Sequence, residues 1–151
     1  MHKQHCLLHT LVEWRNEEQV ACCYQCTFSR VNHDCSTKYT RTIKVFNDKG
    51  QLHPTVFVRF CECEPSAATL IRYGLWPCSA QKPYTAISLT FMDMVYCMMM
   101  EGKVALKTVC HAVGNHNCLS QNEVRLLYRR IVGECLEQYR HFRLDSKSRR
   151  R

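Results

Sequence analysis

The sequence is short of acidic residues: 13 Asp and Glu stand against 21 Lys and Arg, which gives a formal net charge of +8. A nuclease or strand-transfer enzyme that uses two metal ions needs carboxylates that meet around those ions. No set of that kind is spaced along this chain, and Glu62 and Glu64, the nearest candidates, are expected to face solvent. No nucleophile with a neighbouring base is recognisable either. The sequence therefore predicts a chain that is not itself an enzyme.

Long apolar runs are missing as well. The most apolar stretch, residues 87–100, contains Ser88, Thr90 and Asp93 and is too short to cross a bilayer. The first residues do not resemble a signal peptide, because His9 interrupts their apolar run and no small-residue cleavage site follows. We therefore expect a reducing intracellular compartment, where clustered cysteines usually hold a metal or lie buried.

Cysteine, in contrast, is abundant, with 12 residues in a chain of 151. Between residues 22 and 63 a C-x-x-C, an H-x-C and a C-x-C follow one another, formed by Cys23, Cys26, His33, Cys35, Cys61 and Cys63. Structural zinc is held in a tetrahedron, usually by thiolates and imidazoles. The motifs therefore predict a zinc site, and a set of buried thiols is the alternative. Because six candidates exceed the four positions around one ion, both the choice of ligands and the number of ions stay open.

Two strand-like segments connect these motifs. Residues 39–46 are rich in β-branched and aromatic side chains, and residues 52–60 alternate between apolar and polar. Gly50 between them can adopt the positive φ of a tight turn. Pro54 cannot donate a hydrogen bond to a neighbouring strand, which indicates an edge position for the second segment. The pattern predicts a β-hairpin.

The hairpin would bring the cysteine motifs together. With the turn centred on residues 48 and 49, Phe46 would face about Gln51, and Cys35 would face about Glu62. His33 and Cys35 would then lie beside Cys61 and Cys63 at the open end of the hairpin. Ligands that are distant in sequence would thereby form one set.

Beyond Cys63 the pattern becomes helical. It predicts a short helix over residues 65–73, an extended connector at 76–83, and a helix from Thr85 or Ser88 to about Glu101. A further helix is predicted over 104–113, and a last one from a capping box at Ser120 to about Phe142. The predicted fold class is α+β: a zinc-stabilised β-hairpin or small antiparallel sheet, followed by a bundle of about three to four helices. We divide the chain into a cluster region at 1–84, a helical region at 85–145 and a basic tail at 146–151.

The positive charge suits a polyanionic partner, and nucleic acid is the commonest. The last predicted helix carries arginines that would contact DNA phosphates, namely Arg125, Arg129, Arg130, Arg140 and Arg143. A solvated basic surface is the alternative. The sequence does not separate DNA binding from docking onto another protein domain, nor from a stand-alone zinc-stabilised interaction module.

Most of the remaining cysteines are expected to be ordinary core thiols. A second metal site made of Cys110, His111, His116 and Cys118 is a weaker alternative. Cys110 and His111 fall on a predicted helix, where adjacent side chains diverge.

Several short motifs in a fixed order resemble the CxC-like cysteine-cluster region associated with KDZ (Kyakuja-Dileera-Zisupton) transposases. They run from Leu8-His9 and Trp14 through His33–Cys35, Asp48–His53, Phe60–Cys63, Leu70–Pro77 and Pro83–Ile87. The similarity extends over about residues 8–145. Cys78 departs from it, since a small or hydroxyl residue is commoner after the proline, and the H-x-C spacing is shorter than in many relatives.

The resemblance implies an accessory role. In such transposases the cysteine cluster precedes a catalytic region of the RNase H-like type, which holds metal for strand transfer. We accordingly expect this chain to bind zinc, to be non-catalytic, and to contribute to transposon DNA binding or to docking on a transposase catalytic domain in the same or another chain. A nuclear location follows from the same resemblance.

Overall fold

The structure, a computed structural model, describes residues 37–149. This part of the chain begins with two antiparallel strands. Strand β1 (Lys38–Phe46) pairs with β2 (Leu52–Cys61) through a turn in which Gly50 has a φ of 75°. The Asn47 side chain accepts hydrogen bonds from the backbone N–H groups of Lys49 and Gln51, which holds the turn closed. The predicted hairpin is confirmed.

The predicted register of the hairpin is wrong by one residue near the turn and by two at the open end. Phe46 faces Leu52, and Lys38 faces Cys61. The turn is one residue longer than expected, because Asn47 closes it onto Gln51. The second shift is a bulge in which residues 54 and 55 of β2 oppose one residue of β1. Pro54 explains the bulge, since proline lacks the N–H that regular pairing requires.

The hairpin is completed to a four-stranded mixed sheet in the order β2-β1-β4-β3. After helix α1 (Ser66–Arg72), strand β3 (Leu75–Pro77) pairs antiparallel with β4 (Thr85–Ser88), and β4 runs parallel to β1. Among the described strands, β2 lies at the edge, as Pro54 indicated. The sheet is thus not purely antiparallel, and residues 85–88 form a strand where the sequence allowed the start of a helix.

Four helices follow the sheet: α2 (Leu89–Met100), α3 (Leu106–His116), α4 (Gln121–Ile131) and α5 (Glu134–Ser148). The prediction of a single helix from Ser120 to about Phe142 is wrong, because the structure has two helices over this segment. The segment is divided at Gly133, whose φ of 88° is incompatible with a continuous right-handed helix. The α+β fold class and the helical half that follows the sheet are confirmed. The division into three regions stays a prediction.

The sheet separates two apolar clusters. Ile43 and Val45 of β1 pack with Leu70 of α1 on one side, whereas Phe46 packs with the helical residues Phe91 and Leu127 on the other. The alternation of β1 produces this division, because successive side chains point to opposite faces. The turn end of the hairpin is therefore embedded in the helical core, while its open end carries Cys61 and Cys63.

Candidate metal and nucleic-acid sites

Cys61 and Cys63 lie at the open end of the hairpin, where β2 stops. Cys61 is the last residue of the strand and is 1% exposed, whereas Cys63 lies just beyond it and is exposed. The two sulfur atoms approach one hydroxyl group: Thr37 Oγ1 is 3.6 Å from Cys61 Sγ and 3.9 Å from Cys63 Sγ. The C-x-C motif thus directs both sulfurs towards the residue that precedes β1.

The polar surroundings of these sulfurs fit metal-binding thiolates. The backbone N–H of Cys63 donates a hydrogen bond to Cys61 Sγ over 3.4 Å. The Thr37 hydroxyl is placed to donate a second hydrogen bond to either sulfur. Groups that donate to ligand atoms orient the ligands and tune the metal. Two cysteine sulfurs held in this way are soft donors of the kind that zinc prefers.

The other four predicted ligands, Cys23, Cys26, His33 and Cys35, lie outside the described residues. Within residues 37–149, no group of three or more His, Cys, Asp or Glu side chains is arranged to hold a metal ion. In the part of the chain that the structure describes, two members of the predicted set, Cys61 and Cys63, are thus brought together.

The weaker alternative of a second metal site is not formed. Cys110 lies in α3 and is buried in the helical core, where burial raises the pKa of its thiol to about 11. Cys118, in contrast, is exposed beyond the end of the same helix. This is the arrangement of a core thiol and a separate surface thiol, and it agrees with the absence of a metal-binding group among the described residues.

One pair of cysteines was not singled out by the sequence. The thiols of Cys78 and Cys135 interact, which lowers the pKa of Cys135 and, together with burial, raises the pKa of Cys78. Trp76 stands next to the pair and donates its indole N–H to the Cys135 carbonyl over 3.3 Å. No local signal predicts this contact, because the two thiols meet only when β3 packs on the start of α5.

The predicted DNA-contacting arginines fall into two groups. Arg125, Arg129 and Arg130 are exposed on α4, and none of them forms an ion pair with another described residue. Their helix buries the opposite stripe, which consists of Val124, Leu127 and Ile131. The guanidinium groups of these three arginines are therefore available to an external anion.

Arg140 and Arg143 on α5 already have carboxylate partners. Arg140 Nη1 lies 3.0 Å from Glu137 Oε1, and Arg143 Nη2 lies 3.0 Å from Asp93 Oδ1. The Arg143 guanidinium also lies over the ring of Tyr96, 5.5 Å from its centroid. Arg143 thus ties α5 to α2, and a role for these two arginines in contacting DNA stays a prediction.

The family model of the CxC1 like cysteine cluster associated with KDZ transposases matches residues 13–123. The chain belongs to this family. Comparison with curated proteins and with solved structures gave no match.

The CxC1-like match confirms the resemblance that the motifs indicated. It spans all six candidate metal ligands, from Cys23 to Cys63, and ends in the first turn of α4. The arginines proposed for DNA all lie after its last matched residue, 123. The cysteine cluster is thus the property that this chain shares with its family. Among the described residues, no helix is both long and apolar enough to cross a membrane.

Proposed function

We propose that this chain is a zinc-binding, non-catalytic module of a KDZ-type transposase, and that it contributes to contacts with transposon DNA. The observation that supports the metal part most strongly is the approach of the Cys61 and Cys63 sulfurs to the Thr37 hydroxyl. The family match supports the same proposal, because a cysteine cluster is the feature by which that family is described.

The position of Thr37 supports a shared site with the earlier motifs. Cys35 stands two residues before Thr37 in the sequence, so covalent geometry limits the distance between their Cα atoms to about 7 Å. Thr37 itself is within 4 Å of both sulfurs of the C-x-C motif. We infer that Cys35 joins Cys61 and Cys63 on zinc, and that the fourth position is filled by Cys23, Cys26 or His33.

The metal proposal is tested by measuring bound zinc in purified single variants. Cys61→Ser and Cys63→Ser are expected to lose zinc. Two controls should keep it: Cys118→Ser, which removes an exposed thiol, and Cys97→Ser, which removes a half-buried one. Equal zinc loss in Cys63→Ser and Cys97→Ser would contradict the assignment of ligands.

The DNA part of the proposal is supported by the exposed arginines of α4. Arg125 and Arg129 are four residues apart and so lie on one side of the helix, and Arg130 is adjacent to them. Three guanidinium groups without internal carboxylate partners can bind phosphates without reading the base sequence. We therefore propose that α4 contacts the backbone of duplex DNA.

The salt dependence of duplex binding tests this contact. Each phosphate contact contributes a slope of about −0.9 to a plot of log affinity against log salt. Replacing Arg125, Arg129 and Arg130 by Gln should reduce both the affinity and this slope. The matched control replaces three exposed lysines elsewhere, Lys82, Lys103 and Lys107, and should preserve most of the slope. An unchanged slope in the arginine variant would place the contact elsewhere.

Docking onto a catalytic domain, in the same or another chain, is the second candidate, and a stand-alone zinc-stabilised interaction module is the alternative to both roles. Exposed apolar side chains on and beside α5 favour docking: Val132 is 43%, Phe142 39% and Leu144 55% exposed. If the zinc-loaded chain binds no duplex DNA at low salt, docking is the better account. Either role would place the protein in the nucleus, where transposon DNA resides.

A further inference from the structure

The hairpin has one side that no other described element covers along most of its length. Side chains of β1 and β2 alternate, and those pointing to this side are Thr40, Thr42, Lys44, Phe57 and Arg59, which we name the outer hairpin face. All of them are exposed. Their neighbours in the strands point the other way and are buried against α1, including Ile43, Val56, Val58 and Phe60.

Phe57 lies at the centre of this face and is 54% exposed. Thr42 is directly opposite it on β1, and Thr40 is directly opposite Arg59. Residues two positions apart on one strand, and diagonal neighbours across two strands, lie within reach of long side chains. Arg59 and Lys44 therefore flank the Phe57 ring on its two sides. Phe57 is thus an aromatic ring that is open to solvent and has a cationic residue on either side.

The charge of the two hairpin strands has a single sign. Strands β1 and β2 contain Lys38, Arg41, Lys44 and Arg59, and neither contains an Asp or Glu. The side chain of Arg41 belongs to the opposite side, where it lies over Phe60 and Tyr84. The outer hairpin face is thus a neutral and cationic surface, which is complementary to an anion and repels a basic partner.

We propose that the outer hairpin face binds single-stranded DNA, with one base stacked on Phe57 and the neighbouring phosphates bound by Lys44 and Arg59. This inference deepens the proposed DNA-binding role and rests on it. Binding without base-sequence preference combines aromatic side chains that stack on bases with a basic surface that follows the backbone. The outer hairpin face provides both on one side of the hairpin.

Alternative occupants fit this face less well. Duplex DNA offers base edges in its grooves, whereas stacking on Phe57 requires the flat face of an unpaired base. Phenylalanine and arginine are also enriched at the centres of protein interfaces, so a protein partner is separated from DNA by the binding test below. A peptide adding to the edge of β2 that no described strand pairs with would bind through its backbone and would leave the Phe57 ring uncovered.

Fluorescence anisotropy with a labelled single strand of about 12 nucleotides, a length within the site sizes of such proteins, tests the proposal on the full zinc-loaded chain. Phe57→Leu keeps an apolar side chain of similar reach but removes the aromatic ring, and should weaken single-strand binding about tenfold. Phe57→Trp should retain binding, and its fluorescence should change when a base stacks. A double variant, Lys44→Gln with Arg59→Gln, should lower both the affinity and its salt dependence.

Two controls separate the face from general surface effects. Leu144→Ser removes an equally exposed apolar side chain from α5, and Lys107→Gln removes an exposed charge from α3. Neither should change single-strand binding. A duplex probe, whose binding is assigned to α4, should respond to the arginine substitutions and not to Phe57→Leu.

Several results would overturn this inference. One is single-strand affinity in Phe57→Leu that equals the wild type, and another is the absence of single-strand binding at low salt. Equal losses on the single-strand and duplex probes would make the face a general anion surface, and tighter binding of an RNA with the same sequence would reject DNA as the ligand. The duplex contact of α4 fails separately, by an unchanged duplex slope in its arginine variant.

Discussion

The hydroxyl of Ser88 donates a hydrogen bond to the carboxylate of Asp48, which lies in the hairpin turn forty residues earlier in the chain. The same hydroxyl accepts a hydrogen bond from the backbone N–H of Phe91 and so caps α2. One buried side chain therefore fixes the hairpin turn against the first helix of the helical half. Sheet and helices are joined at this point by a polar contact as well as by apolar packing.

Asp48 predicts a pH dependence of stability. Burial raises the pKa of its carboxyl above 3.8, and the hydrogen bond from Ser88 only partly opposes this shift. A carboxyl whose pKa is raised by folding stabilises the folded state fully at pH values below its pKa in the unfolded chain. This stabilisation is lost as the pH rises through its pKa in the folded protein. Asp48→Asn should therefore gain stability relative to the wild type as pH increases from about 4 towards neutrality. Urea unfolding of both proteins across this range measures the difference, and a constant or falling difference would contradict the prediction.

Gly114 predicts a steric limit between α3 and α4. A Cβ atom at this position would overlap the Cγ2 atom of Val124. Gly114→Ala should therefore destabilise the protein by about 1–3 kcal/mol through overpacking, although alanine favours helix. Asn115→Ala, at an exposed position of the same helix, is the control and should be close to neutral. If steric overlap is the cause, the double variant Gly114→Ala with Val124→Ala should lose less unfolding free energy than the sum of the two single variants. Strictly additive losses, measured by denaturant unfolding, would argue against steric overlap.

The contacts of Arg41 indicate that lysine cannot replace arginine at this position without loss of stability. Its Nη2 donates a hydrogen bond to the Pro83 carbonyl over 2.8 Å, and its guanidinium lies 4.7 Å from the Phe60 ring centroid and 5.2 Å from that of Tyr84. A lysine ammonium keeps the charge but loses the planar group that stacks. Arg41→Lys should lower the free energy of unfolding by about 1–2 kcal/mol. Arg129→Lys, at an exposed position, should change it little, and equal effects would show that the stacking contributes nothing.

Cysteine reactivity provides a separate check of the packing. Burial raises the pKa of Cys110 to about 11, so its thiolate is scarce at mildly alkaline pH and is shielded from reagents. In the folded protein, alkylation followed by mass spectrometry should modify Cys118 well before Cys110. Denaturation should abolish the difference. Simultaneous modification of both thiols in the native protein would show that α3 does not pack as described.

Local patterns in the sequence predict those features whose cause is local. The alternation of residues 56–60 identifies the buried side of β2, where Val56, Val58 and Phe60 are buried. The same pattern predicts Leu52 on this side, but it lies beyond the bulge and packs against the helical cluster instead. The capping box also forms, since the Ser120 and Glu123 side chains each accept a hydrogen bond from the other residue's backbone N–H. In both cases neighbouring residues in the chain supply the interaction.

Features that depend on distant contacts are not predictable in the same way. Strand β4 has only four residues, and it exists because β1 supplies a parallel partner about forty residues away. The ion pair of Arg143 with Asp93 likewise depends on how α5 packs on α2. For the candidate metal site, the sequence identifies the cysteines by their spacing, but the contacts with Thr37 and the true register follow from the turn and the bulge.

Removal of the metal tests the central claim most directly, because a structural zinc site contributes its binding energy to folding. Protein purified without a chelator should contain zinc. Adding a strong chelator should collapse the dispersion of the backbone amide resonances from residues 39–60. Added zinc should restore the spectrum, and Cys63→Ser should resemble the chelated protein. A purified protein that contains no zinc and keeps its hairpin resonances dispersed in strong chelator would contradict the account.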